Sequence, residues 1–375
     1  MTSARSDSTA PVRLLLVGMG NIAGAWLRAI KTLPGVQLAA VAEPRTEVAT
    51  AKLAEFGLTA PIEPDLTTAI GRHDIDVVAN LTPPAVHGAV ITEALLTGCD
   101  VFSEKPLSTS LTEAYALADL AAETGRAISV MQNRRYALAI RALRARVAAG
   151  QLGRLSALSA DHWMSPHHDA PYLNLLPHPL LEDMSLHTFD QARFLTGAEA
   201  VRVLTHEYNP YGSWYHAGGA ATALFEMSDG SLFSYRGNWA TPGFATSYDA
   251  AWRLSGEQGT AIWDSWSEHV RTQTLYQIGH GDDHDQDATD WSVESEPGQL
   301  RGHTAGLAAM LDAWRQGRPA ETSIADNLGT LSMQAAAIAS AERGGWVDVA
   351  EVVDAARSAD FRSAASSARG HVQRG

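Results

Sequence analysis

Cysteine is nearly absent. Cys99 is the only one in 375 residues, which excludes an internal disulfide and fits a reducing compartment. Its place after Thr97-Gly98, opening an apolar run, reads as a small core residue and not as a nucleophile. Basic character is scarce as well: Lys and Arg total 28 against 42 Asp and Glu, a formal net charge of −14. No basic run exceeds a few residues, which argues against a nucleic-acid duplex or an anionic membrane as partner. No stretch reaches the ~18 apolar residues needed to cross a bilayer. The first ten residues are small and polar and lack the apolar core of a secretion signal. These absences leave the expectation of a soluble, cytoplasmic protein. At this length, with 45% hydrophobic residues, the chain can bury a large core and is expected to form two domains.

What is present begins at residues 12–24, Val-Arg-Leu-Leu-Leu-Val-Gly-Met-Gly-Asn-Ile-Ala-Gly, an apolar run that breaks into glycines and restarts as a helix. This is the strand, turn and helix start that holds a dinucleotide pyrophosphate: Gly18 for the tight turn, Gly20 for close backbone approach, Ala23 at the third small position. The run Val36–Ala42 then ends in Glu43, an acid placed to accept hydrogen bonds from ribose hydroxyls. Glu43 repels a 2′-phosphate and favours NAD, whereas Arg45 could pair with one and permit NADP; the reading adopted is NAD. The bland alternative is a glycine turn followed by an ordinary surface Glu.

From 12 to about 131, strand candidates (12–17, 36–42, 76–81, 99–102, 127–131) alternate with helical stretches (22–33, 46–56, 85–97, 111–124). That alternation predicts an N-terminal Rossmann domain, 11–132, with a doubly wound parallel sheet. After Met131 come a basic amphipathic helix to Ala149, a strand over 155–163, a Pro/His-rich loop over 164–179, a helix over 180–196 and several two-period runs. Turns such as Met227-Ser-Asp-Gly230 predict an antiparallel or mixed sheet in an α+β domain over 133–350. An acidic excursion is expected over 278–298, closing helices over 302–316 and 324–342, and a frayed tail over 351–375.

Two clusters carry chemistry. In Val101-Phe-Ser-Glu-Lys-Pro-Leu107, Lys105 follows a strand at the carboxyl edge of the sheet, where ligands bind, and Pro106 holds it extended. A surface lysine paired with Glu104 is the plain alternative. In the 180–196 helix, Asp183 and His187 are four residues apart on one face, so the carboxylate can orient the imidazole as a general base. Asp190, three residues further on, could compete for that role, and a solvated helix face is the plain alternative.

Taken in order, Val-Gly-Met-Gly-Asn-Ile-Ala, Thr82-Pro83-Pro84 with His87, Glu104-Lys105-Pro106, Asn133-Arg134-Arg135-Tyr136 and Asp183-x-x-x-His187 resemble the glucose–fructose oxidoreductase/inositol dehydrogenase (Gfo/Idh/MocA) family over roughly 12–350. The helix from Ala325 to Ala341 resembles that family's closing helix. The resemblance implies a C-terminal domain with a large open sheet, through which dimers or tetramers form. It implies Lys105 as catalytic lysine and Asp183 with His187 as the acid/histidine pair. Cofactor contacts are then expected at Gly18, Gly20, Asn21, Ile22, Glu43, Arg45, Thr82, Pro83, His87, Glu104 and Lys105. Two departures stand out. Pro179-Leu-Leu-Glu182 replaces the glycine-rich residues usual before the Asp, and Trp26 adds bulk beside the glycine turn.

The implied reaction is oxidation of a secondary hydroxyl by hydride transfer to the nicotinamide. Lys105 steadies the reacting oxygen and His187 takes the proton; Lys105 could instead be the base if burial and Arg134 depress its pKa. Arg134, His162, Trp163, Tyr172, Asp183 and His187, with Lys105, are the expected substrate contacts. Asn174, His178, Tyr215, Arg236, Asn238 and Trp239 add aromatic faces and polar groups suited to a sugar, glycoside or inositol. His167-His168, His178, Asp183 and His187 match no compact zinc spacing, so no metal is expected. A redox-neutral glycosidase or epimerase using NAD transiently, and a non-catalytic dinucleotide-binding regulator, are the alternative functions.

Overall fold

The structure, a computed structural model, describes residues 10–166, 171–267, 269–274, 289–292 and 298–359. His167, His168, most of the acidic excursion and the end of the expected tail lie outside the described residues. The chain forms two compact units. The described residues 10–133, 300–328 and 354–359 belong to the first, and those within 134–299 and 329–353 to the second.

The first unit begins with β1 (Val12–Val17), α1 (Ala23–Thr32), β2 (Val36–Ala42), α2 (Thr46–Phe56), β3 (Ile62–Glu63), α3 (Leu66–Arg72), β4 (Val77–Asn80), α4 (His87–Leu96), β5 (Asp100–Ser103), α5 (Leu111–Thr124) and β6 (Ile128–Val130). Six described strands pair in the order β3-β2-β1-β4-β5-β6, all parallel. This is the doubly wound dinucleotide order, with helices covering both faces; hence β1, β4 and β5 are nearly continuous buried runs.

The second unit runs through α6 (Leu138–Ala148), β7 (Leu155–Trp163), α7 (Pro171–Asn174), a π-helical turn (Leu180–Met184), α8 (Ser185–Thr196), β8 (Ala200–Tyr208), β9 (Ala220–Met227), β10 (Leu232–Asn238), β11 (Ala251–Gly256), β12 (Gly259–Trp263), β13 (His269–Thr274) and β14 (Thr289–Ser292). With β15 (Val347–Asp348), nine described strands pair in the order β14-β13-β12-β11-β7-β10-β9-β8-β15. Only the β7–β10 pairing is parallel. Phe189 of α8 packs edge-on against Phe225 and Tyr235 at the centre of its core.

The single cut expected after 132 gives way to an interleaved division. The helix α9 (Gly302–Arg315) belongs to the first unit: Leu307, Met310, Leu311 and Trp314 join its core, and the Trp314 indole donates to Asp100 at 2.7 Å. The helix α10 (Ile324–Arg343) follows. The expected tail is helical over α11 (Val349–Ser358), because Val349, Val352, Val353 and Ala356 recur at helical spacing and are buried or partly buried.

Candidate functional site

In the first unit, β1 ends at Gly18, whose φ of +92° and close approach to the Leu81 carbonyl leave no room for a Cβ. The Cβ position of Gly20 meets no atom within 4 Å, so the backbone there lies open to a ligand. Asn21 and Ile22 continue the turn into α1, whose first turn has no side-chain cap; the Ala23 and Ala25 N–H groups turn back onto the Gly20 and Ile22 carbonyls, and the positive dipole end of the helix faces outward to an anion. This cradle fits a pyrophosphate. Glu43 is buried at the end of β2, and its carboxylate accepts from the Met19 N–H (3.0 Å) and from Arg45 Nε (2.9 Å). Burial works against the charge, but these donors outweigh it and hold the carboxyl below the usual range.

After β4, the Asn80 side chain accepts from the Thr82 hydroxyl (2.6 Å), fixing the turn that leads to Pro83. Buried His87 places Nε2 2.7 Å from the Thr82 carbonyl and Nδ1 2.7 Å from the Pro106 carbonyl, tying that turn to the cis Lys105–Pro106 peptide. Two carbonyls favour the doubly protonated ring; burial is the larger effect and pushes the His87 pKa down.

Glu104 is buried beside Lys105. Its Oε1 accepts from the Trp26 indole at 2.7 Å and lies 3.2 Å from His303 Nε2 of α9, and its Oε2 accepts from the Lys105 N–H at 3.2 Å. Burial raises its pKa, but the His303 contact, Trp26 and the Lys105 charge bring it below the ordinary value. Trp26 is therefore core, and its indole fastens Glu104. His303 was not singled out from sequence, since nothing near it in the chain marks it as a partner of Glu104.

In the second unit the expected helix over 180–196 opens with a π turn: Ser185 N–H bonds the Leu180 carbonyl five residues back. Such a turn strands carbonyls, and the Gln334 amide of α10 donates to those of Leu181 and Glu182, each at 2.8 Å. Asp183 lies on the π turn and His187 on the first turn of α8, where it is buried and not on a solvated face. Asp190 is committed elsewhere: Arg135 forks onto it at 2.8 and 2.7 Å, and the Thr330 hydroxyl adds 3.1 Å. That buried pair anchors α8.

Around this helix, Arg134 donates to Asp249 at 3.1 Å and lies over the Tyr248 ring at 4.7 Å. Tyr215 stacks on Trp239 with centroids 5.4 Å apart; burial, helped by the Asp183 charge, pushes its hydroxyl up to about 12. His162 is fully buried, and burial, with Arg134 nearby, takes its pKa down to about 3, so the ring is neutral.

Other expected contacts are not gathered there. His162 and Trp163 leave β7 on opposite sides, so they do not share a face. Arg236 projects from the outer face of β10 and pairs with Asp161, which removes it from the set. Asn238 caps its own turn at Ala240, and His178 bonds Glu207 at 2.6 Å. The Tyr172 side chain lies outside the described residues. Among the described residues, no group of three or more His, Cys, Asp or Glu is arranged to hold a metal. No helix among them is long and apolar enough to cross a membrane.

Comparisons with known proteins agree with this architecture. Residues 12–132 match the GFO_IDH_MocA oxidoreductase family, NAD-binding Rossmann fold, and residues 140–262 match the GFO/IDH/MocA C-terminal domain. The chain is 28% identical to scyllo-inositol 2-dehydrogenase (NAD(+)) of Bacillus subtilis over 240 residues, covering 62% of this chain and 68% of that protein. It is 28% identical to dTDP-3,4-didehydro-2,6-dideoxy-alpha-D-glucose 3-reductase of Streptomyces violaceoruber over 365 residues, covering 94% and 97%. The crystal structure of an Agrobacterium radiobacter oxidoreductase in complex with NAD+, L-tartaric acid and magnesium superposes with a TM-score of 0.81 at 21% identity, covering 91% of this chain and 99% of that one, which shows a shared fold. With an NAD-binding Rossmann unit followed by the matching C-terminal domain, the chain belongs to the Gfo/Idh/MocA family of oxidoreductases.

Proposed function

We propose that the protein is an NAD-dependent dehydrogenase that oxidises a secondary hydroxyl of a sugar, glycoside or inositol. The observation that carries this reading is the surrounding of His187. A buried imidazole one turn from a carboxylate shares its unit with a stacked Tyr215–Trp239 pair and an Arg134–Asp249 pair whose charges cancel. Aromatic faces with neutral or neutralised polar groups suit a polyhydroxylated ring, whose C–H faces stack while its hydroxyls bond. The names of the inositol and deoxysugar relatives support the same class.

Bound NAD supplies the hydride acceptor. Lys105 donates to the reacting oxygen and stabilises negative charge there, its backbone held by Glu104. His187, oriented by Asp183, takes the hydroxyl proton. Glu43 receives the adenosine ribose; a 2′-phosphate would have to break the Glu43–Arg45 pair, which favours NAD over NADP. We further propose a cytoplasmic homodimer or homotetramer, formed through the outer sheet face that exposes Leu204, Leu232 and Ile262.

The test is a panel of sugars, inositols and glycosides with NADH formation followed by absorbance. Turnover of at least one is expected, and Lys105→Ala and His187→Ala should each lower kcat by about 10²–10⁴-fold. Near-wild-type turnover by both variants would remove the assigned roles.

A further inference from the structure

Within that reading, we infer that His303 is a positioning residue for Lys105, acting through Glu104. The Glu104 carboxylate is the link: one oxygen accepts from the Lys105 N–H, and the other is gripped from two helices.

Lys105 stands just beyond the reach of the sheet. The β5 ladders end at Ser103, opposite Asn80 of β4 and Val130 of β6. One residue on, the Glu104 N–H reaches back to the Asn80 carbonyl at 2.9 Å. The Lys105 N–H then meets the Glu104 side chain, Oε2 at 3.2 Å, in place of a strand. A side-chain acceptor fixes a backbone only as well as it is itself fixed.

The other oxygen, Oε1, accepts from the Trp26 indole of α1 at 2.7 Å and lies 3.2 Å from His303 Nε2. The Glu104 carboxyl is held below the ordinary range and only accepts, so the imidazole hydrogen sits on Nε2. Donors from two helices stop the carboxylate from turning; with Trp26 alone it would be free to pivot about one bond. His303 reaches this place because α9 is tied to both ends of β5. Trp314 holds Asp100, the first residue of the strand, and His303 meets Glu104, just past the last. The helix from His303 to Trp314 rises about 16 Å and the chain from Asp100 to Glu104 about 13 Å, so the two anchor points match. Between them Leu307, Met310 and Leu311 pack into one core with Trp26, which keeps both donors in register.

The role rests on the dehydrogenase reading, and the experiment separates the two. His303→Leu removes the donor, whereas His303→Gln keeps an N–H at a similar reach. With the substrate found in the panel, His303→Leu should lower kcat about tenfold or more and leave KM nearly unchanged, because Lys105 acts on charge that develops in the transition state. His303→Gln should recover most of that loss. Hydrogen exchange of the protein without NAD gives a readout independent of turnover. The Lys105 amide should exchange faster in His303→Leu, while the amides of β1 and β4 keep their wild-type rates and Tm moves little. Wild-type kcat in His303→Leu, or no recovery in His303→Gln, overturns the role and leaves the dehydrogenase reading standing. Faster exchange throughout β1, β4 and β5 with a lowered Tm, the mark of general loosening, overturns it as well. If no compound is turned over, the dehydrogenase reading falls. Exchange then decides alone: a change confined to Lys105 keeps His303 as its anchor, and no change ends it.

Discussion

Glu104 in the first unit and His162 in the second are both buried, yet they are served in opposite ways. Glu104 has both oxygens in use, on Trp26, His303 and the Lys105 N–H. His162 has neither ring nitrogen in use. The same contrast extends outward. Around the glycine turn, Glu43, Asn80 and His87 each make bonds that fix a backbone segment. Around His162, the Arg134 Nε and the Tyr235 hydroxyl also lack partners. Buried groups that are fully bonded hold a scaffold still; buried groups with spare capacity mark where a ligand completes the structure.

The sharpest way to break this comparison is Glu104→Ala. It would leave the Trp26 indole N–H and His303 without their acceptor in a buried place, and should destabilise the protein by about 3 kcal/mol in denaturant unfolding. Glu104→Gln, which keeps an acceptor for the indole, should cost less. A loss below about 1 kcal/mol for the alanine variant would mean that the network does not hold the Lys105 strand end.

An effect that is smaller per pH unit is expected from acid. The His162 pKa is about 3 in the folded protein against an ordinary 6.5, so between those values protons bind the unfolded chain in preference. The stability linked to this residue is complete above about 6.5 and is lost as pH falls towards about 3, by at most about 1.4 kcal/mol per pH unit. His162→Phe should flatten the pH dependence by that amount, read as the difference between the two unfolding profiles. Parallel profiles would show that the ring meets enough polar contact to be protonated in place, and the contrast with Glu104 would weaken.

Much of the scaffold was legible because parallel strands buried on both faces read as apolar runs between glycine and proline breaks; β1 and β2 fall on the expected residues. The short pair β3 and α3 was not foreseen, although Asp65 caps α3 by accepting from Thr68, a local signal that was present. The π turn was hidden for a different reason. One extra residue per turn barely disturbs an apolar pattern such as Leu180, Leu181 and Met184, and the group that satisfies its carbonyls, Gln334, is some 150 positions away. Asp183 and Asp190 flank His187 almost symmetrically in the chain, and only the Arg135 fork, a tertiary contact, separates their roles. Motif spacing can nominate side chains, but it cannot say which of them already have partners.

The smallest expected effect is also the most discriminating. The Tyr235 hydroxyl lies within the core, against Gly237 and Leu180, with no partner. Removing an unsatisfied buried hydroxyl deletes no bond and relieves its desolvation, so Tyr235→Phe should leave stability within about 0.5 kcal/mol of the wild type or raise it. A typical buried tyrosine with a bonded hydroxyl would lose about 1 kcal/mol or more on the same change. Denaturant unfolding separates these outcomes. A clear loss would place an ordered water at the Tyr235 hydroxyl, and water there would equally serve His162, which lies beside Gly237 on the next strand. Gain or neutrality would mean that the second unit tolerates unmet polar groups in its free state, the condition under which a ligand hydroxyl contributes most when it arrives.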